Sequence, residues 1–346
     1  MTREELFEAI ARDDTIENAD LSGMDLAGQD LSGARFEGVS FKGADLRGAK
    51  IVRTGFTGCT FEGANMDGAS LAGVIWMRMN LSGAILSRAN LRKAVLNGSD
   101  LSGAILTGAD LTQAVMDNVR LDGADLSGAD ISRAVIHRSS MKGADMKGAN
   151  LFKSIFVETD MKGASFKKAR IFKTFLRGCS LAGQDFRGAT FIMAQAGGAD
   201  MKGCDFTGAE ITQSNFMNAD MTGAVLEKVK GERTVFMGTN LSGVSLRGSY
   251  FVQSCFEEAN LNLADLSECN CEQALFIKAF CRGAKFVDVN ATFADFSHAD
   301  LTAADFTSAA LARAKMHRAV EEHTIWDRSS RGSAYGTDPD LAQAEG

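Results

Sequence analysis

A single proline, Pro339, serves all 346 residues. Ordinary loops lean on proline, so a long chain almost without it has little room for them. Its 36 glycines must then sit inside regular structure. No run of eighteen apolar residues occurs, and no membrane-spanning helix is expected. The opening stretch from Met1 to Ile10 carries charges throughout and no central apolar block, so it gives no sign of a secretory signal. Cysteine is present seven times, an odd number with no Cys-x-x-Cys pair. A reducing cytoplasm is the expected location. Excess basic charge is also missing: 37 basic residues face 44 acidic ones, for a net charge of −7. Direct nucleic-acid binding led by phosphate contacts is therefore not expected.

What the chain does have is a period of five. Every fifth residue from Ile16 to Met316 falls in one unbroken register of 61 positions, and 56 of them are Leu, Ile, Phe, Met or Trp. The exceptions are Ala196, Gly231, Cys271, Cys281 and Ala291. The residue two before the large one is nearly always small, as at Ala44, Ala84, Ala124 and Ala164, with Met24, Gln29, Met79 and Gln184 as departures. Asp or Asn often precedes the large residue, and Gly often follows it by two. Neither a helix nor a flat strand has this period.

Segments such as Ala44-Asp45-Leu46-Arg47-Gly48 and Ala124-Asp125-Leu126-Ser127-Gly128 carry a resemblance to the pentapeptide-repeat family, over roughly residues 16–316. The resemblance implies an all-β fold, a right-handed quadrilateral parallel β-helix in which four pentapeptides make one square coil. Large and small residues would both point inward and fill a narrow interior, and stacking would bury a core that no single repeat could bury alone. Two columns support a coil of twenty residues. Glycines recur at that spacing from Gly23 to Gly243, and Phe216, Phe236, Phe256, Phe276 and Phe296 form another series. About fifteen coils at ~4.8 Å each would make a rod on the order of 70 Å long. Ala196, Gly231 and Ala291 should leave their coils underfilled or repacked by neighbours, and Met193 or Phe293 could swing inward.

The ends read differently. Thr2 and Glu5 have capping-box spacing ahead of Leu6, Phe7 and Ile10, so a short N-terminal capping helix within residues 1–15 is expected. Residues 16–316 form the repeat, 317–328 a C-terminal cap, and 329–346 a disordered tail.

No catalytic, cofactor or metal site emerges. The cysteines fall mostly at inward positions and read as core thiols. His317 and His323 share a segment with Glu321 and Glu322, but no third ligand recurs at metal-site spacing. A regular rod also lacks the concave pocket of an enzyme. One column stands out. The residue before the large one is apolar at Ile75, Val95, Val115, Val135, Ile155 and Phe175, and again at Val235, Cys255 and Leu275, interrupted only by Gln195 and Asn215. Two residues earlier run Lys93, Gln113, Arg133, Lys153 and Lys173, where glycine is largely absent. Two readings stay open: β-branched filler suited to a flat strand face, or an exposed apolar stripe rimmed by cations, a surface for another protein or for a homodimer.

A non-catalytic protein-interaction scaffold is thus the expected function. An alternative that the resemblance brings is the family's quinolone-resistance branch, in which a rod mimics DNA toward gyrase. Here Asp45, Asp125, Asp145 and Asp185 line one column, but Arg47, Lys147 and Arg187 stand beside several of them, which blunts the field. A third alternative is an accessory protein of bacterial type VI secretion, since Met1–Ile10 and the segment from Gly336 to Ala342 are similar to repeat proteins associated with that system.

Overall fold

The fold was analysed in a computed structural model that describes residues 1–345. Helix α1 (Arg3–Ala11) opens the chain. Thr2 and Glu5 form the reciprocal capping box: the Thr2 N–H donates to Glu5 Oε2 at 2.8 Å, and the Glu5 N–H donates to Thr2 Oγ1 at 3.2 Å. Leu6 and Ala9 are buried, so the helix places its apolar side against the first coil and shields an interior that would otherwise meet water.

Backbone pairing advances by twenty residues, and every pair is parallel. In the first compact unit, Met1–Arg170, strands β1 (Thr15–Glu17), β2 (Arg35–Glu37) and β3 (Gly55–Thr57) align Ile16 with Phe36 and Phe36 with Phe56. Strands β4 (Val115–Asp117), β5 (Val135–His137) and β6 (Ile155–Val157) repeat this register. Three further columns pair through single residues, as in Asp20↔Ser40, Asp25↔Asp45 and Asp30↔Lys50. Four paired positions per twenty residues make a four-sided parallel β-solenoid. The second unit, Ile171–Gly346, holds β7 (Phe175–Arg177) and the same four columns.

Rungs are bonded in both directions. The Leu26 N–H donates to Asp45 O at 2.7 Å, and the Asp45 N–H donates to Met24 O at 2.9 Å. Corners close by turn bonds such as Ala44 N–H to Phe41 O at 3.0 Å. The third residue of this turn, Gly43, has φ +62°, the requirement of a type II turn. Backbone polarity is thereby satisfied without helices or long strands.

The register assigns the interior. Leu101, Leu126, Phe216 and Trp76 are buried, as are the small residues Ala104, Ala124 and Ala144. Inward rings stack from coil to coil: Phe276 and Phe296 lie 4.7 Å apart with planes 3° off parallel. Inward hydroxyls at the small position find the carbonyl of the preceding coil, as Thr239 Oγ1 does with Phe216 O at 2.7 Å. All seven cysteines are free thiols, and burial pushes the Cys204 thiol up to about 12, so it is inert at neutral pH.

Two sequence-based expectations need correction. Met193 and Phe293 do not swing inward. Both sit at left-handed corners, φ 55° and 60°, and Phe293 is exposed. At Gly231 the coil is repacked by a neighbour, the other expected outcome: the inward ring of Phe251 brings Cε1 within 2.6 Å of where a Cβ would stand. Nor do residues beyond 316 leave the solenoid. Val320 pairs with Asp300, Ile325 with Asp305, and Tyr335 with Lys315. A 3-10 turn at Arg331–Ser333 and helix α2 (Pro339–Ala344) follow. The reason is local: Trp326 stacks on Phe306 at 4.7 Å, and Glu321 and Arg331, both in the inward register, pair at 2.7 Å across the final coil. An ion pair there closes the end with a polar lid, which the sequence alone shows only as a loss of apolar residues.

Candidate partner-binding face

All seven strands lie in one column of the coil, at the positions of Thr15–Glu17 and their twenty-residue repeats. The other columns make single-residue bridges only. This is therefore the flat face of the solenoid, and β-branched and aromatic residues such as Val115, Val135, Ile155 and Phe175 hold it so. Their strand neighbours Met116, Ile136, Phe156 and Leu176 point inward and are buried. Period-two alternation then sends Val115, Val135 and Ile155 outward in the first unit and Phe175 in the second. Ile75 is 63% exposed and Phe175 47%, while Val95 is half-buried.

Lys93, Arg133 and Lys153 flank this row in the first unit, and Lys173 takes the same place in the second; all four are exposed. Their backbones are left-handed, with φ between 54° and 58°. The same corner position two columns on is glycine throughout Gly83, Gly103, Gly123 and Gly143. A left-handed residue with a Cβ costs roughly 1–2 kcal/mol, so this edge carries strain that glycine would remove. Lys153 Nζ rests 5.2 Å from the centre of the Phe152 ring and Lys173 Nζ 5.4 Å from that of Phe172. Among the described residues none of these four cations makes an ion pair.

Several cations on other columns are committed. Arg47 pairs with Asp45 at 2.5 Å, Arg187 with Asp185 at 2.7 Å, Arg120 with Asp100 at 3.4 Å and Lys142 with Asp160 at 3.2 Å. The Arg47 guanidinium bonded to Asp45 holds that carboxyl below its usual range. Lys147, expected to neutralise Asp145, reaches it only through its backbone N–H, at 2.9 Å. On the far edge of the flat face, Asp117 binds both His137, at 3.2 Å, and Arg138, at 2.9 Å.

A second cluster was not visible in the sequence. His298, His317 and Glu345 bring one ligand atom each within 4.8 Å of one another. His317 is almost fully buried, with Nε2 3.2 Å from Glu345 Oε2; its Nδ1 accepts the Asp338 N–H at 3.1 Å. A neutral imidazole has one lone pair, and the backbone N–H already occupies it. Metal coordination at Nε2 would need a second, so the donor set does not suit a metal. The cluster instead latches helix α2, with Arg318 bonded to Ala342 O and 3.3 Å from Glu345 Oε2. His323, grouped with His317 on sequence grounds, sits at a left-handed corner, exposed to solvent.

The pentapeptide repeat model matches residues 16–54 and, in overlapping segments, 77–320. The chain belongs to the pentapeptide repeat family. Solved structures similar to this repeat protein include HetL from Nostoc sp. strain PCC 7120, a protein involved in heterocyst differentiation regulation. It is 24% identical over 71% of this chain and 89% of its own, with a TM-score of 0.26. QnrB1, a plasmid-mediated fluoroquinolone resistance protein, is 22% identical over 61% of this chain and 82% of its own, with a TM-score of 0.21. A pentapeptide repeat protein from the Arabidopsis thaliana thylakoid lumen is 28% identical over 32% of this chain and 68% of its own, with a TM-score of 0.16. Among curated proteins no sequence match is found. No helix of the described residues is long and apolar enough to cross a membrane.

Proposed function

We propose that this pentapeptide repeat protein is a non-catalytic scaffold that binds another protein through its flat face. The contact residues are Ile75, Val95, Val115, Val135 and Ile155, with Lys93, Arg133 and Lys153 at the rim; Phe175 and Lys173 take the equivalent places in the second unit. The observation that carries this reading is the coincidence on one edge of outward apolar side chains, cations without ion pairs and left-handed corners that glycine would relax. Strain kept where the fold does not ask for it points to function. An apolar centre beside uncommitted cations suits a partner with an apolar core and an acidic rim. Against catalysis stand the buried thiols and the pairing of Asp45 and Asp185 with arginine. That same pairing blunts any DNA-like field, and no observation favours the gyrase or secretion readings.

The test is Val115→Asp, Val135→Asp and Ile155→Asp together, paired with a photo-crosslinking residue at position 135 or, as control, at 120 on an ion-paired column. The triple variant should fold and lose the partner, and crosslinks should form from 135 and not from 120. Covalent homodimers from 135 would make a second copy the occupant. A folded triple variant that keeps every contact of the parent would reduce the row to strand filler.

A further inference from the structure

Phe56 breaks the inside–outside rule of the coil. From Ile16 to Met316 every residue of the inward large register is buried except this one, which is half-buried. The cause lies one coil on. Large rings in one inward column stack face to face, because parallel planes fit the step of ~4.8 Å between adjacent strands. Phe36 and Phe56 lie 10° from parallel with centres 5.3 Å apart, and Phe41 and Phe61 lie 6° from parallel at 4.8 Å. Trp76 does not follow. Its indole stacks instead on Phe61 of the neighbouring column, at 5.1 Å and 25°, and so stands 80° to Phe56 with centres 6.0 Å apart. An edge-on ring needs more height than a parallel one. Trp76 therefore props two coils apart on this side, with its Nε1 buried and without a hydrogen-bond partner.

The ladder is open where the prop stands. On the flat face, strand β3 pairs with β2 and with no strand after it, and Ile75 pairs forward with Val95 only. By the register of the other coils, the N–H groups of Phe56, Gly58 and Ile75 should donate to Ile75 O, Met77 O and Thr54 O. Among the described residues none of these three bonds forms. Both corners of this wall are loosened as well: the Thr54 N–H does not close a turn onto Ile51 O, and the Met79 N–H goes to Ser99 Oγ at 3.1 Å. The other three walls stay closed between the same two coils. The Ile51 N–H donates to Ser70 O at 2.9 Å, the Phe61 N–H to Asn80 O at 2.8 Å and the Met66 N–H to Ile85 O at 2.7 Å. Gly55 places no side chain over the gap, and Ile75 and Met77 beside it are more than half exposed.

We infer that this seam is a hinge built into the first unit. Helix α1 and the coils up to Thr57 rock as one flap against the coil that carries Trp76. The opposite wall, at Met66 and Ile85, is the pivot, and the flat-face wall is the mouth. Hinges lie where few backbone bonds oppose opening. Closing the mouth brings Gly55 into register with Ile75 and covers Phe56. Opening it presents that ring beside the first residue of the apolar row, so the apolar surface at this end of the flat face changes with the hinge.

Hydrogen exchange read amide by amide on the full chain tests the seam. After correction for intrinsic rates, the amides of Phe56, Gly58 and Ile75 should exchange on the order of a hundredfold faster than those of Phe61 and Met66. Trp76→Phe permits a parallel stack and should slow the three about tenfold. Pulsed electron paramagnetic resonance tests the rocking. Spin labels on Glu37→Cys with Asn97→Cys span the seam, and labels on Asn97→Cys with Val157→Cys span the same number of unbroken coil steps. Cys255→Ser in both removes the one native thiol that is not buried. The distance distribution across the seam should be the broader, and Trp76→Phe should narrow it to the width of the control. Seam amides as slow as those of the other walls, or equal widths in the two labelled pairs, would overturn the hinge. Neither of those measurements needs the Trp76 variant, so its misfolding would not rescue the idea. A folded Trp76→Phe with exchange and width unchanged would overturn the indole as the prop.

Discussion

The flat face is apolar between Ile75 and Ile155 and polar between Asp295 and Tyr335, where the C-terminal segment latches beside it. Beside the latch the polar residues are answered: Lys315 pairs with Asp295 at 3.3 Å, and His317 is bonded at both ring nitrogens. In the apolar stretch the outward residues are Val and Ile, and Lys93, Arg133 and Lys153 are left without counter-ions among the described residues. Backbone geometry is the same in both stretches, a parallel ladder stepping by twenty residues, so the fold does not set the difference. Outward composition therefore differs where backbone geometry does not, and the proposed partner contact is placed on the apolar stretch.

The comparison breaks first if inward and outward assignments are wrong. Leu126→Ala empties a site with almost no solvent exposure in an interior that cannot collapse, and should cost about 2–5 kcal/mol in denaturant unfolding. Val135→Ala, on the bare face, should fall within about 0.5 kcal/mol. Equal losses would mean that Val135 is packed and that the stripe is part of the core.

A second measurement sharpens the functional side. Arg133→Gly and Lys153→Gly relax left-handed corners at φ 58° and 56°. Relief of roughly 1–2 kcal/mol of strain at each, set against about 0.5–1 kcal/mol of added glycine entropy in the unfolded chain, leaves each variant as stable as the parent or up to about 1 kcal/mol more stable. Partner binding should weaken all the same. Loss of stability in both would show that these side chains hold the fold, and the argument from strain would fail.

How much of this the sequence showed depends on whether the information is periodic. Ile16 through Met316 announce the coil because one inward side chain recurs every five residues, and Thr2 with Glu5 announces α1 because a capping box is local. The last coil was missed because its inward residues are Glu321 and Arg331: an ion pair across a coil looks, in sequence, like the end of the repeat. The latch joins His298, His317 and Glu345 across coils through a segment that sequence composition assigned to disorder.

That latch gives the comparison its finest test, because releasing it should free helix α2 from the coils. The Glu345 carboxylate accepts from His317 and faces His298 and Arg318, with Lys315, Asp295 and Asp338 also around it. The hydrogen bond from His317, and then the charge of His298, hold its pKa below the ordinary value of 4.5. A carboxyl whose folded pKa is depressed adds stability that is fully present above the unfolded pKa and is lost as pH falls through the folded one. Protection factors of the α2 amides, corrected for intrinsic exchange, should therefore hold from pH 7 down to about 5 and fall below about 4. Coils around Leu101 and Leu126 should keep theirs over the same range. Glu345→Ala should lower α2 protection already at pH 7 and flatten the acid response, since the group that titrates is gone. If α2 in this variant stays as protected as in the parent, its cover is held by Leu341 and the Arg318 bond to Ala342 alone. The carboxylate would then be a bystander.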